Sequence, residues 1–236
     1  MNIAPCPHSW QLTPAEAREV QEIHRSRVVL EDRLGPVRRV AGVDVGFEDD
    51  NRVARAAVAV LSFPALTLEE AVIGRAPVTF PYIPGLLSFR EMPAVLDALR
   101  RLRLTPDLLL CDGQGIAHPR RFGIASHLGV LVDIPAIGVA KRLLTGRHDP
   151  APDARGGWTP LRDKGAIIGA VLRTRVGVRP VFISPGHRIT LDTALHYVMA
   201  CVTRYRLPET TRWAHRLASG PEASGQCAGA ARAAPR

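Results

Sequence analysis

The chain has 236 residues, of which 46% are hydrophobic, enough to fill the core of one large domain. It contains no run of 18 apolar residues and does not begin with a secretion signal, so composition excludes a membrane-spanning class and we expect a cytoplasmic protein without a membrane partner. The net charge of +9 favours a polyanionic partner such as nucleic acid, because a surface that neutralises phosphates releases their counterions.

The first predicted elements are a helix and a three-stranded meander. A capping-box sequence, with proline at the first helical position, begins at Thr13, and a Gly-Pro pair closes the segment, which predicts a helix over 13–34. Three strand-like runs follow, separated by short turn sequences. They cover residues 38–48, 53–63 and 66–78. This spacing predicts an antiparallel meander.

Helices and strands alternate after residue 88. Apolar residues at helical spacing predict helices, and short apolar runs predict buried strands. The predicted helices are 88–104, 122–132, 190–205 and 209–219, and the predicted strands are 106–112, 135–140, 166–173 and 179–184. This order predicts an α/β fold, a mixed sheet flanked by helices, with the first strand next to the strand at 106–112. We expect one domain over 1–219 and a disordered tail over 220–236, where the sequence is small and polar.

Asp44, in the segment VAGVDVGFE, is the first candidate functional acid. Strand alternation places Gly42 and Gly46 on the same face as Asp44. Glycine weakens a strand unless something approaches its backbone closely, so the pattern indicates a carboxylate with cleared space around it. A solvent-facing acid on an edge strand, beside a bulge, is the alternative.

Asp112 is the second candidate acid, at the end of the buried run LLLC. Ligands of open α/β sheets bind at the carboxyl ends of strands. If the strands that carry Asp44 and Asp112 pair, the two carboxylates lie close together and require a proton or a metal ion. Oxygen ligands in this number favour Mg²⁺ and, with the basic charge, phosphodiester chemistry. Taken alone, two aspartates at strand ends are a weak signal, because helix N-caps and turns use Asp freely.

Three basic candidates lie further along the chain. The glycine-rich loop around His118 could hold a phosphate or a base edge with its N–H groups, or His118 could be an ordinary loop residue. Lys141 follows a predicted strand and either points into the same cleft or is solvated. It is one of two lysines among 31 basic residues, and this preference for arginine is another possible source of the charge. His215 by itself indicates only a helix surface.

Five blocks in this order resemble the endonuclease V family. They read VAGVDVGFE, PYIPGLLSFRE, DGQGIAHPRRFGIASHLGVLVDIPAIGVAKRLL, SPGHRITLDTAL and RLPETTRWAH, and the resemblance extends over residues 13–219. It implies a ribonuclease H-like fold and a monomeric repair nuclease, whose partner is double- or single-stranded DNA containing deoxyinosine. It further implies cleavage of the second phosphodiester bond 3′ to the lesion, leaving 3′-hydroxyl and 5′-phosphate ends.

The resemblance also implies the site residues. The catalytic residues correspond to Asp44, Glu91, Asp112, Lys141 and His215. Asp44 and Asp112 are expected to bind Mg²⁺, with Mn²⁺ as an alternative ion, while Glu91 and His215 act through water. The residues expected to bind DNA and the lesion correspond to Pro81, Tyr82, Ile83, Pro84, Gly85, Leu87, Gly113, Gly115 and His118, with Leu144 in addition. Thr210 departs from the family pattern, which commonly has proline there.

The segment TFPYIPGLLSFRE then acquires a specific interpretation. A nuclease that reads a damaged base must remove it from the stack, which costs a few kcal/mol. Pro81 and Pro84 fix their φ angles near −65°, so we predict a stiff loop that inserts Tyr82 into DNA as a wedge. A Tyr82 ring packed on the core is the alternative.

Two other functions remain open at this stage. One is a ribonuclease H-like nuclease that acts on inosine-containing RNA or on branched DNA with the same carboxylates. The other is a non-catalytic nucleic-acid-binding module, which only the charge supports.

Overall fold

The computed structural model describes residue 1 and residues 3–220, so all but the first residue of the predicted tail at 220–236 lies outside the described residues. The strands are β1 Arg39–Glu48, β2 Val53–Ser62, β3 Leu68–Pro77, β4 Leu108–Cys111, β5 Ala136–Ala140, β6 Trp158–Asp163, β7 Ala166–Leu172 and β8 Val181–His187. The helices are α1 Pro14–His24, α2 Leu87–Arg101, α3 Ile124–Val132, α4 Leu191–Ala200 and α5 Glu209–Ser219, with one 3₁₀ turn at Arg25–Arg27. In the described part of the chain, no helix has the length and apolar character to cross a membrane.

The strands form one mixed sheet in the order β3-β2-β1-β4-β5-β8-β7-β6. The first three strands are the predicted antiparallel meander, and β1 pairs in parallel with β4, as predicted. Strand β5 is parallel to β4, and the remaining neighbours are antiparallel. Because β1, β4 and β5 run in the same direction, their carboxyl ends lie at one edge of the sheet.

Helices cover both faces of this sheet, so its central strands are buried on both sides. Leu109 belongs to the apolar cluster under α2 and α3, whereas its neighbours Leu108 and Leu110 belong to the cluster that α4 and α5 cover. All three leucines have no exposed surface. Burial on both faces accounts for the continuous apolar sequence of β4, which contrasts with the alternation of a half-exposed strand.

Two predicted helices are shorter in the structure. Helix α1 has the predicted capping box at Thr13 but ends at His24 instead of residue 34. The following backbone pairs elsewhere: the Arg188 N–H donates to the Val29 carbonyl (2.7 Å), and the Arg33 N–H donates to the Arg188 carbonyl (3.1 Å). These long-range hydrogen bonds replace the helical ones that the local sequence favours.

Helix α4 ends at Ala200 instead of residue 205. The Arg206 side chain holds the next segment in a loop by donating to three backbone carbonyls, those of Arg179, Pro180 and Lys141, at 2.7, 2.8 and 3.2 Å. The other predicted elements agree with the structure within three residues. Strand β6 was not predicted, because it is a short edge strand that contains a proline.

Helix α5 lies directly on the glycine face of β1. A Cβ atom at Gly42 would lie less than 3.0 Å from the Thr210 carbonyl oxygen, and one at Gly46 would also lie less than 3.0 Å from that of Ala218. The prediction of a close approach is therefore correct, but the approaching group is a helix backbone and the glycines do not clear space for a ligand. Strand β1 is central, so the alternative of an edge acid is wrong.

We expect Gly42→Ala to lower the free energy of unfolding by roughly 1–3 kcal/mol, because the new methyl group forces α5 away from β1. Urea unfolding measures the change. Gly35→Ala is the matched control, since nothing lies within 4 Å of the added Cβ. Equal stability of the two variants would contradict the packing described here.

Candidate active site

Two carboxylates lie side by side at the shared edge of β1 and β4. The parallel register pairs Val43 with Cys111, and the Asp112 N–H donates to the Val43 carbonyl at 2.9 Å. Asp44 follows Val43 and Asp112 follows Cys111, so the two aspartates are neighbours across the pair. Together with a ring nitrogen of His215, their ligand atoms lie within 4.8 Å of one another.

A third acid, Glu91, comes from the second turn of α2. Burial, and then the charges of Asp44 and Asp112, raise the pKa of Glu91 to about 8. The pKa of Asp44 is also raised, mainly by burial and then by the charge of Asp112. The site thus concentrates negative charge in a poorly solvated place, which is a strong attraction for a cation.

Two basic side chains are paired with these acids. The Lys141 ammonium forms an ion pair with Asp112, and Lys141 directly follows β5, whose carboxyl end lies at the same edge. The His215 Nδ1 lies 2.7 Å from the Asp44 Oδ2. The structure therefore brings all five predicted catalytic residues together, including His215, which the sequence alone indicated only as a helix surface.

The donor set suits a divalent metal ion. Two carboxylate oxygens and one imidazole nitrogen are within reach of a single centre in Asp44, Asp112 and His215. Oxygen donors predominate, as Mg²⁺ and Mn²⁺ prefer. Burial and then the charge of Asp112 raise the pKa of Asp44, and a bound cation would offset both effects by favouring the ionised carboxylate.

A cavity of about 560 Å³ extends from the acids to the loop before α2. The predicted DNA-binding residues that line it are Tyr82, Pro84, Gly85, Leu87, Gly113 and His118, and Leu144 does so as well. Pro81, Ile83 and Gly115 are not among the described residues that line it. The Gly115 N–H already donates to the Ser184 Oγ at 2.8 Å inside the protein, so it is engaged in holding the loop.

Tyr82 is 68% exposed at the rim of this cavity, so the alternative of a ring packed on the core is wrong. The residues that flank the loop, Phe80 and Leu86, are fully buried. Between them, Gly85 has φ +80° and the Leu86 N–H donates to the Ile83 carbonyl at 2.9 Å, as in a type II turn with proline before glycine. Buried ends and a stiff turn thus hold an exposed ring.

The Gly85 carbonyl oxygen is the point where this loop is fixed to the rest of the protein. It accepts hydrogen bonds from Gln21 Nε2 (3.0 Å), His118 Nε2 (2.8 Å) and Arg120 Nη2 (2.9 Å). His118 is 2% exposed and is therefore not an ordinary loop residue. Gln21 and Arg120 also bond to each other, which completes what we call the Gly85 clamp.

Three polar residues of this site are not among the residues predicted from the sequence. Gln21 and Arg120 carry no local signal, because their partner Gly85 is remote in the chain. Gln114 lies inside the DGQG block and lines the cavity. Its Nε2 donates to the Arg142 carbonyl at 3.0 Å, while its buried Oε1 has no hydrogen-bond partner within the described residues. Its position between Gly113 and Gly115 was the available signal.

The clamp makes stability depend on pH. Burial lowers the pKa of His118 to about 4 from its ordinary value of 6.5, so the folded protein holds a neutral ring. This contribution is complete above pH 6.5 and is lost as the pH falls, because the unfolded chain takes up a proton that the folded chain refuses until about pH 4. The difference between pKa 6.5 and about 4 corresponds to about 3 kcal/mol of unfolding free energy, which is lost as the pH falls from 6.5 to 4.

We therefore expect the free energy of unfolding to fall less steeply between pH 6.5 and 4.5 in His118→Gln than in the unmodified protein. Urea titrations at several pH values measure the two slopes. His148→Gln is the control, because the His148 ring is exposed and should leave the slope unchanged. A His118→Gln slope equal to that of the unmodified protein would refute the assignment of a neutral, buried ring.

The fold and the site together define a class of protein, a ribonuclease H-like nuclease with a cluster of acids that could hold a divalent metal ion at the edge of a mixed sheet. The sequence profile of endonuclease V matches residues 22–216, and the chain belongs to the endonuclease V family. Members of this family are endonucleases, which agrees with the acids that meet here.

Individual relatives support this membership. Endonuclease V of Rippkaea orientalis is 59% identical over 214 residues, which cover 91% of this chain and 92% of that protein. The crystal structure of endonuclease V from Streptomyces avermitilis is 47% identical, with a TM-score of 0.85, and the match covers 90% and 94% of the two chains. Endonuclease V of Ciona intestinalis, solved with a 23mer DNA containing an inosine followed by a ribo-adenosine, is 28% identical, with a TM-score of 0.75 and coverage of 88% and 97%.

Proposed function

We propose that this protein is a DNA repair endonuclease that recognises deoxyinosine and hydrolyses the second phosphodiester bond 3′ to it, leaving 3′-hydroxyl and 5′-phosphate ends. The observation that carries the proposal is one cavity lined both by the acids Asp44, Glu91 and Asp112 and by the exposed Tyr82 ring. Family membership and the inosine-containing DNA bound by the Ciona intestinalis relative support this substrate.

The cavity has the size and lining for an expelled base. Its volume of about 560 Å³ lies in the range of small-molecule sites. Tyr82 would enter the stack that the base leaves, and the turn at Gly85 would bring backbone groups to the base edge. Because the Gly85 clamp holds this turn before DNA arrives, little conformational freedom is lost on binding.

Each catalytic side chain has a distinct role in the hydrolysis. Asp44 and Asp112 hold Mg²⁺, with Mn²⁺ as an alternative, and the ion when bound supplies a Lewis acid for the phosphate and for water. Glu91, which lines the same cavity as Asp44 and Asp112, orients the attacking water. Lys141 offsets negative charge on the phosphate. His215 orients the Asp44 carboxylate through their hydrogen bond.

We expect Asp44→Asn and Asp112→Asn each to reduce nicking of an inosine-containing duplex by about 100-fold or more, because each removes a charge that neutralises the metal. A denaturing gel of end-labelled duplex with Mg²⁺ measures the rate and maps the cleaved bond. The same gel with a matched inosine-containing RNA strand tests RNA as the substrate.

Asp50→Asn is the matched control for these variants. Asp50 is an exposed residue in the turn between β1 and β2 with φ +51°, a conformation that asparagine tolerates. Full activity of either site variant, or a cut at undamaged DNA with equal speed, would contradict the proposed function. Calorimetric titration with Mn²⁺ shows whether a loss of activity follows from a loss of metal.

We expect Tyr82→Ala to weaken binding of inosine-containing DNA by about 5- to 100-fold, because stacking of one base on an aromatic ring contributes about 1–3 kcal/mol. Metal affinity should stay the same, since the exposed ring has no contact with the acids. Tyr82→Phe keeps the ring and should retain the binding. Fluorescence anisotropy on inosine-containing and undamaged duplexes measures both, and an unchanged preference in Tyr82→Ala would exclude the wedge.

A further inference from the structure

A second group of charged and aromatic side chains lies outside the cavity, on α5 and the loop before it. The Arg204 and Arg212 guanidinium carbons lie 4.7 and 3.3 Å from the ring centre of Tyr205, and that of Arg216 lies 5.0 Å from a ring centre of Trp213. Such cation–π contacts hold flexible arginines in defined positions. We call these five residues the α5 surface.

The charges of the α5 surface are only partly neutralised. Both carboxylate oxygens of Glu209 bind the Arg212 guanidinium, at 2.9 and 2.7 Å, so Arg212 serves mainly to hold the Tyr205 ring. Arg204 and Arg216 are exposed and form no ion pair with any described residue. Two positioned cations therefore face solvent without a counterion from the described residues.

The α5 surface adjoins the acids directly. Arg216 follows His215, which bonds to Asp44, and the loop that carries Arg204 is tied to the Lys141 carbonyl through Arg206. Helix α5 packs on one face of the sheet, whereas α2 and the Tyr82 loop lie on the other. The acids thus separate the lesion cavity from the α5 surface.

We infer that the α5 surface binds the phosphate backbone of the nicked DNA strand on the 3′ side of the scissile bond. This inference rests on the proposed function: if the base lies in the cavity and the bond 3′ to it lies at the acids, the strand leaves the acids on the side of α5. Arg204 and Arg216 then each neutralise one phosphate, held in place by Tyr205 and Trp213.

The salt dependence of binding tests this assignment. The logarithm of the dissociation constant for inosine-containing duplex, measured by anisotropy without divalent metal, changes linearly with the logarithm of the KCl concentration, with about 0.9 of slope for each neutralised phosphate. We expect Arg204→Ala/Arg216→Ala to reduce the slope by about 2. Arg204→Lys/Arg216→Lys keeps both charges and should keep the slope.

The control variant is Arg103→Ala, which removes one positive charge at the opposite end of β4. The Arg103 side chain is 93% exposed and its nearest acid, Glu70, lies 4.0 Å away. We expect it to leave the slope unchanged. Thermal unfolding of each variant shows whether it is folded.

Duplexes trimmed on one side of the inosine locate the contact. Shortening the 3′ flank should weaken binding of the unmodified protein but affect Arg204→Ala/Arg216→Ala much less, whereas shortening the 5′ flank should affect both equally. An unchanged salt slope and an unchanged 3′ dependence in the double variant would overturn the inference, while cleavage of inosine-containing DNA by the unmodified protein would still uphold the proposed function. Failure of the unmodified protein to distinguish inosine would instead contradict the proposed function.

Discussion

The parallel pairing of β1 with β4 is the constraint on which the site depends, because it sets Asp44 and Asp112 side by side. Burial and then the charge of Asp112 raise the pKa of Asp44, and burial and then the charges of both aspartates raise the pKa of Glu91. The other predicted catalytic groups lie around these two carboxylates. Lys141 and His215 each bring a basic group to one carboxylate, and a metal ion would bind where the negative charge is greatest.

The loop that carries Tyr82 exposes an aromatic ring that proteins ordinarily bury, so the surrounding structure must hold it there. Phe80 and Leu86 are fully buried on either side of it, and the Gly85 carbonyl accepts three hydrogen bonds. The hydrogen bonds come from α1 and from the loop after Asp112, so they connect the Tyr82 loop to the segment that carries one of the acids. This placement suits the proposed role of Tyr82 as a wedge, because a loop that is held in place does not need to be ordered during binding.

Helix α5 both packs on the central strand β1 and carries His215, which bonds to Asp44. It approaches β1 so closely that only glycine is accommodated at Gly42 and Gly46. This approach places His215 over Asp44 and presents Arg216 next to it, on the face of the sheet opposite to α2. The same packing that stabilises the central strand therefore positions a proposed catalytic side chain and the neighbouring basic surface.

Features whose signals are local or repeated along the chain could be predicted from the amino-acid sequence. The capping box at Thr13, the meander and the alternation of helices with apolar strands predicted the mixed sheet and the neighbouring acids Asp44 and Asp112. The resemblance to a known family added Glu91, Lys141 and His215, which composition and spacing left undecided. A single acid, lysine or histidine has many ordinary uses, so only a set of motifs in order could single these residues out.

Features that depend on contacts between distant segments could be established only from the tertiary structure. Helix α1 ends early because the backbone around Val29 pairs with Arg188, and the glycines of β1 accommodate α5 and not a ligand. The Gly85 clamp joins residues from three segments, so no local pattern could indicate Gln21 or Arg120. The physical reason is common to these cases: a hydrogen bond or a close backbone contact forms wherever the folded chain brings its partners together, whatever their separation in sequence.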